Sequence, residues 1–360
     1  MLGCAQNYQV QLHWRRGEQV YASTFDGTRK VEWGRRLCET SESIVTVGKR
    51  LAGAECCRLL GRAQPWAHEM SVYRDGDLVW QGPLTNVRER RGDFILQAHD
   101  ITAWAARRWV NRTVSEETKD IARHVEWLFA SVIGDDGENI LPYVQVRDAG
   151  IREPWAFKKF SRYALDELIR IADLGVDWTT VGRHMLIGPE ADKNTPAQGQ
   201  LSTNDFLSDL EIEVNGMAAA TDVAAVGDEG KVGRVGGWTA TWDRLQTLIS
   251  VPGEKSEARL RNIASTHVRQ ARPPLTVLRI PADAALSPTS QVEMRQLVAG
   301  EKFVITAADF CRPVRVGMRL AQLQCTWEAG QGASSGGEKV GVSFTPLRGE
   351  EVEDEGEGGV

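Results

Sequence analysis

Gly332-Ala333-Ser334-Ser335-Gly336 carries the letters of a nucleophile elbow, in which a serine on a sharp strand-to-helix turn attacks a carbonyl. That chemistry needs a strand before the serine, a helix after it and a histidine further on. The last histidine, His267, lies upstream, and the Gly/Ser composition fits a hairpin loop. Gly230, Gly233, Gly236 and Gly237 are spaced like a phosphate loop but lack the Walker lysine and its Ser/Thr. A mobile glycine loop is expected there. Val47-Gly48-Lys49-Arg50 fails the same test, because no glycine stands five residues before Gly48. His68-Glu69 opens like a zinc-binding H-E-x-x-H, but Val72 takes the second histidine's place. The six histidines (His13, His68, His99, His124, His184, His267) show no ligand spacing. Asp75/Asp77 and Asp135/Asp136 fall in expected turns, where local hydrogen bonding accounts for aspartate. Arg88, Glu89, Arg90 and Arg91 cluster at a hairpin end, an expected solvated face. No catalytic, cofactor-binding or metal residue is assigned, and an enzyme is not expected.

The six cysteines (Cys4, Cys38, Cys56, Cys57, Cys311, Cys325) form no C-x-x-C pair. Cys56 and Cys57 are expected on opposite faces of a strand and so not to share a metal, and all six are taken as buried or incidental free thiols of a reducing compartment. The net charge of −6 argues against a general nucleic-acid binder, which needs a basic face. No run of ~18 apolar residues is present and the first ten residues lack a leader pattern, so synthesis and folding in a cytoplasm are expected. Twelve tryptophans are many for 360 residues; they suit cores and subunit interfaces, where their area is large.

The elements are mostly β. Gln9 to His13 alternates, Ile44 to Val47 is apolar, and Val31 to Leu37 and Cys57 to Leu60 are further expected strands. Asp26-Gly27, Asp75-Gly76 and Arg91-Gly92 are hairpin signals. Met70 to Tyr73, Leu78 to Gln81, Asn86 to Glu89 and Phe94 to Ala98 form an antiparallel meander, with Gly82-Pro83 stopping its second strand. Asp100 caps a helix through Arg108, and Thr113 with Glu116 has capping-box spacing. Ile121, Val125, Leu128, Phe129 and Val132 share one helical face. Ser161 starts a helix that buries Leu165, Leu168, Ile169 and Ala172 and ends at Gly175. A hairpin, Val176–Val181 with His184–Ile187, follows. Leu210–Val214, Thr221–Val226, a helix over Glu254–Gln270 stopped by Pro273-Pro274, and strands Leu275–Ile280, Lys302–Thr306, Met318–Trp327 and Val340–Thr345 complete the pattern.

Several of these pieces resemble one family in their order along the chain. Tyr73-Arg74-Asp75-Gly76 with Val79-Trp80-Gln81-Gly82-Pro83, then Leu96-x-Ala98-x-Asp100 before Ala103-Trp104 and Arg107-Arg108, is similar to minor tail proteins of actinobacterial long-tailed phages, of the baseplate-hub type. Leu174 to Thr179, Ala219 to Gly227, and Arg272-Pro273-Pro274 with Gln296 to Glu301 agree. Ala299-Gly300 stands where that family usually has Pro-Gly.

The resemblance implies an α+β, mostly β fold with two tail-tube-like β-barrel domains and an inserted small α/β domain. Residues 1–100 would form the first barrel, 101–200 the insert and 201–348 the second barrel, with 201–227 also able to complete the first. Residues 349–360 are acidic and glycine-rich, an expected disordered tail. It further implies a homotrimeric structural virion protein at the tail tip. Such a hub caps the tail tube, meeting a distal tail protein or tube ring, the tape measure protein and the tip or receptor-binding proteins. The tryptophans leave open a carbohydrate-binding receptor module. A cell-wall hydrolase has less in its favour, since no nucleophile–base pair is visible.

Overall fold

The computed structural model describes residues 1–14, 27–134, 143–217, 219–237, 243–271, 275–282, 284–311, 313–330, 337–347 and 353–354. Asp26, Asp135-Asp136, Pro273-Pro274 and Gly332–Gly336 lie outside the described residues, as do most of residues 349–360.

The first segment comprises β1 (Tyr8–Trp14), β2 (Thr28–Arg36), β3 (Glu42–Gly48), α1 (Lys49–Leu60), β4 (His68–Arg74), β5 (Asp77–Glu89) and β6 (Asp93–His99). The six strands pair antiparallel in the order β1-β4-β5-β6-β3-β2. Asp75 and Gly76 have φ of 50° and 94°, the two positive values of a type I′ hairpin turn. Two expectations are corrected. Cys57–Leu60 is the last turn of α1, because a short apolar run has no period of its own and the residues before it are good helix formers. Gly82-Pro83 does not stop a strand. β5 continues through it and changes partner there, with residues up to Pro83 facing β4 and Leu84 onward facing β6. A proline is tolerated at such a changeover, where one ladder ends. Gly82 is required, since a Cβ there would lie 1.9 Å from the His99 carbonyl oxygen.

The middle segment holds α2 (Ala103–Arg107), β7 (Val114–Asp120), α3 (Ile121–Gly134), β8 (Tyr143–Val146), β9 (Arg152–Phe157), α4 (Ala164–Ala172), β10 (Val176–Val181) and β11 (His184–Pro189). Ile121, Val125, Leu128, Phe129 and Val132 of α3 are all buried, against Leu168, Ile171, Trp178, Met185 and Ile187, in a core of their own. Thr113 and Glu116 do not cap α3, because residues from Val114 on form β7. Asp120 does so instead, its Oδ1 accepting the Ala122 N–H at 3.0 Å. Tyr163, not Ser161, precedes α4, which turns Ile171 inward and leaves Ile169 exposed.

The last segment runs β12 (Gly199–Ser202), β13 (Glu211–Asn215), β14 (Asp222–Val226), β15 (Val232–Gly236), β16 (Gln246–Ser250), α5 (Glu257–Gln270), β17 (Leu275–Arg279), β18 (Ala285–Leu286), β19 (Lys302–Ala307), β20 (Val314–Glu328), β21 (Gly337–Pro346) and β22 (Glu353–Asp354). The expected mobile loop Gly227–Gly237 is a turn followed by β15. Gly233 serves packing, because a Cβ there would lie 2.1 Å from the Arg261 nitrogen of α5, whereas Gly230 and Gly237 face open space. β14, β15, β16 and α5 enclose a small third core of Val223, Ala225, Leu260 and Ala264. No separate unit is expected there from the sequence. Within the acidic tail expected to be disordered, Glu353 and Asp354 pair with Arg315 and Val314 of β20.

β20 pairs with β2, so both ends of the chain join one 12-stranded sheet. Its core mixes Trp33, Met70, Leu84 and Leu96 with Phe303, Leu320, Leu323 and Val342. The fold is α+β and mostly β. Among the described residues no sheet closes on itself, whereas two barrels are expected from the sequence.

Two substitutions test the β5 geometry by chemical denaturation. Gly76→Val should lower stability by about 1 kcal/mol or more by straining a positive φ. Gly82→Ala should cost more, about 2–3 kcal/mol, because backbone rather than a side-chain tip obstructs the new methyl.

Candidate assembly surfaces

Four of the six histidines are engaged in local contacts. His13 Nε2 lies 2.8 Å from Ser71 Oγ, and His99 Nδ1 lies 2.9 Å from Thr85 Oγ1. His68 stacks on Trp14 at 4.3 Å and His184 on Tyr143 at 5.0 Å. No group of three or more His, Cys, Asp or Glu able to hold a metal exists among the described residues. Cys4, Cys38, Cys57, Cys311 and Cys325 are free thiols. Burial pushes the Cys38 thiol up to about 12 and also raises Cys325, so neither supplies a thiolate at neutral pH. Two clefts hold about 180 and 240 Å³, below the 300–1,000 Å³ of typical small-molecule sites.

The distinctive chemistry lies instead at the seams between segments, where charges are buried in pairs. Glu338 of β21 has a side chain only 1% exposed. Its Oε1 accepts from the Tyr8 hydroxyl at 2.6 Å and Arg74 Nε at 2.9 Å; its Oε2 accepts from the Arg74 guanidinium at 2.8 Å and the Ala5 N–H at 2.9 Å. Trp33 Nε1 donates to the Tyr8 oxygen at 3.1 Å. This bond brings β2 and β1, the two ends of the six-strand run, into contact. Arg35, buried, donates to the Leu297 and Val79 carbonyls at 3.0 Å each, joining the first and last segments.

A second set of pairs fixes the middle segment on the sheet. Glu69 of β4 is 0% exposed; it accepts from Arg183 in the β10–β11 turn at 3.1 Å and from Gln81 Nε2 at 3.0 Å. Arg319 of β20 donates to both oxygens of Asp177, at 3.0 and 2.9 Å, and stands 2.9 Å from Glu190. The Thr179 hydroxyl donates to the Arg36 carbonyl at 2.9 Å. None of these charges is expected as a site from the sequence. The one available signal was register: Glu338 shares its strand face with the buried Val340 and Val342.

Over these seams the chain matches other proteins in shape. No protein-family model matches the chain, and no curated protein matches it. The 43 kDa tail protein of prophage MuSo2 from Shewanella oneidensis superposes with a TM-score of 0.63 at 11% identity, covering 96% of this chain and 100% of that one. The fold is that of phage tail proteins. A tail protein from Neisseria meningitidis MC58 gives a TM-score of 0.59 at 12% identity, covering 94% and 97%. An E. coli type VI secretion component, itself described as similar to the T4 bacteriophage tail proteins gp27 and gp5, gives 0.51 at 9% identity over 89% of this chain and 74% of that one. At these identities the tail fold is what is shared.

The seams generate two predictions. Glu338→Ala should cost about 3–5 kcal/mol by leaving Arg74 and Tyr8 buried without their partner, and adding Arg74→Met should restore part of it in denaturant titrations. Burial also holds His124 of α3 below the usual imidazole value, and its Nε2 has no hydrogen-bond partner among the described residues. The folded state then binds fewer protons than the unfolded chain, so stability should fall as pH drops below about 6.5. A His124→Gln variant should show a shallower decline in denaturation midpoint.

Proposed function

We propose that this chain is a structural protein of a phage tail tip. In this reading it is a trimeric baseplate hub that caps the tail tube and links it to the host-contacting tip. The observation that carries the reading is end-to-end agreement with a prophage tail protein, at 96% of this chain and 100% of the other. A match confined to one barrel or one insert would not carry it.

The strand plan supports two tail-tube-like halves per chain. The six-strand run of the first half curls until β1 and β2 touch through Tyr8 and Trp33. Each half is organised by one long strand that changes partner, the 13-residue β5 and the 15-residue β20. Three chains of two related halves would present six similar units, suited to a six-fold tube above and a three-fold tip below. The middle segment, clamped by Arg183 and Arg319, would decorate that ring. The partners are then a distal tail protein or tube ring, the tape measure protein and the tip proteins. The role is mechanical rather than enzymatic: it positions the tip and relays a conformational signal on host contact. The protein would be assembled in the host cytoplasm and reside at the virion tail tip. The ordered motifs from Tyr73 to Glu301 favour a phage of actinobacteria.

Cryo-EM of assembled virions should find three copies in a ring beneath the last tube ring. Absence of the chain from purified virions would overturn the proposal.

A further inference from the structure

Two exposed patches on this chain are complementary in charge and both have apolar centres. The first lies on the middle segment. Residues 107–113 and 157–163 run side by side, with Phe160 N–H donating to the Val110 carbonyl at 2.9 Å and Val110 N–H to the Arg162 carbonyl at 3.0 Å. Trp109 and Tyr163 are directly opposite in this ladder. Together they carry Arg107, Arg108, Arg112, Lys158, Lys159 and Arg162 and no acidic residue, in a chain whose net charge is −6; Arg162 pairs with Glu167 at 3.5 Å and Arg108 donates to the Val132 carbonyl at 2.7 Å, and Lys158 and Lys159 are exposed. At the centre, Trp109, Phe160 and Tyr163 are 55%, 63% and 51% exposed. Phe160 has φ of 57°, a left-handed conformation that bulky residues adopt at a cost, and it turns the ring outward.

The second patch follows the edge strand β12 of the 12-stranded sheet and runs into β13, which pairs with β17 in a two-stranded sheet. Residues 203–213 carry Asp205, Asp209, Glu211 and Glu213 and no basic residue. Leu207 protrudes from them, 66% exposed, its N–H tied to the Ala285 carbonyl at 2.8 Å. Asp309 joins the patch through the Thr203 hydroxyl at 2.6 Å. Glu213 pairs with Arg279; Asp209 and Glu211 are exposed.

We infer that the aromatic, basic patch of one copy docks on the Leu207 acidic patch of the next copy, as a head-to-tail contact that closes the ring. This inference rests on the trimeric hub reading and names its contact. Aromatic centres with arginine are what protein interfaces concentrate. The rings suit a protein knob better than a stacked sugar or base. Lys159 Nζ sits 4.7 Å over the Phe160 ring, and Trp109 meets Phe160 edge-on at 81°, so no flat platform is presented. Because the two patches differ, each copy offers one of each, and a contact of that kind forms closed rings when the rotation permits.

The test is sedimentation velocity and native mass spectrometry of the full chain, with circular dichroism as the folding control. The wild type should be a trimer that weakens at least about tenfold between ~0.1 and ~1 M salt. Lys158→Glu with Lys159→Glu should give monomer, as should Asp209→Lys with Glu211→Lys. A chain carrying all four reversals should regain the trimer, a result that misfolding cannot produce. A trimer indifferent to both paired reversals would overturn this contact while leaving the hub reading intact. A wild type that stays monomeric at all concentrations would overturn the trimer itself.

Discussion

A carboxylate buried in a sheet core must be met by donors wherever the strand register puts it. Glu338 is met by donors from three places: Arg74 of β4, Tyr8 of β1 and the Ala5 backbone. Leaving any such charge unpaired in a low-dielectric interior costs several kcal/mol, so the pairing is close to obligatory. Strands from the two ends of a 360-residue chain are thereby committed to one another. Burial and the Glu338 charge both raise the Tyr8 pKa, so the phenol stays protonated and keeps donating. The same logic recurs with Glu69 and Arg183, and with Asp177, Glu190 and Arg319, which commit the middle segment to the sheet.

Seams built from buried charge pairs differ physically from seams built from apolar contact. Apolar contact is non-directional and tolerates sliding, whereas bidentate guanidinium pairs fix orientation. Arg35 extends this: its guanidinium bridges the Val79 carbonyl of β5 and the Leu297 carbonyl of the loop before β19. Exposed apolar side chains are spread over the described surface, and two sets among them, Trp109 with Phe160 and Tyr163, and Leu207, lie in segments whose charged residues are of one sign.

Much of the local structure was legible because it depends on neighbours in sequence. The Asp75-Gly76 turn needs only a glycine that accepts positive φ, and the α3 face needs only the helical period from Ile121 to Val132. The errors arose where a local rule was overridden from a distance. Pro83 sits within a strand because the partner changes from β4 to β6 at that point. Within Gly227–Gly237, β15 forms because it pairs with β14 and because α5 packs on Gly233 closely enough to exclude a side chain.

By itself the sequence determined the β-rich composition, the turn positions, the amphipathic helices and the lack of catalytic spacing, since each is set within a few residues. Its ordered motifs also pointed to a tail protein, and the fold agrees at that level. Only the tertiary structure decided that β2 and β20, almost 300 residues apart, share a ladder, and which acids and bases meet across the seams. The reason is physical. A strand's partner and a buried charge's countercharge are chosen by the packing of the whole chain, and no local period records that choice.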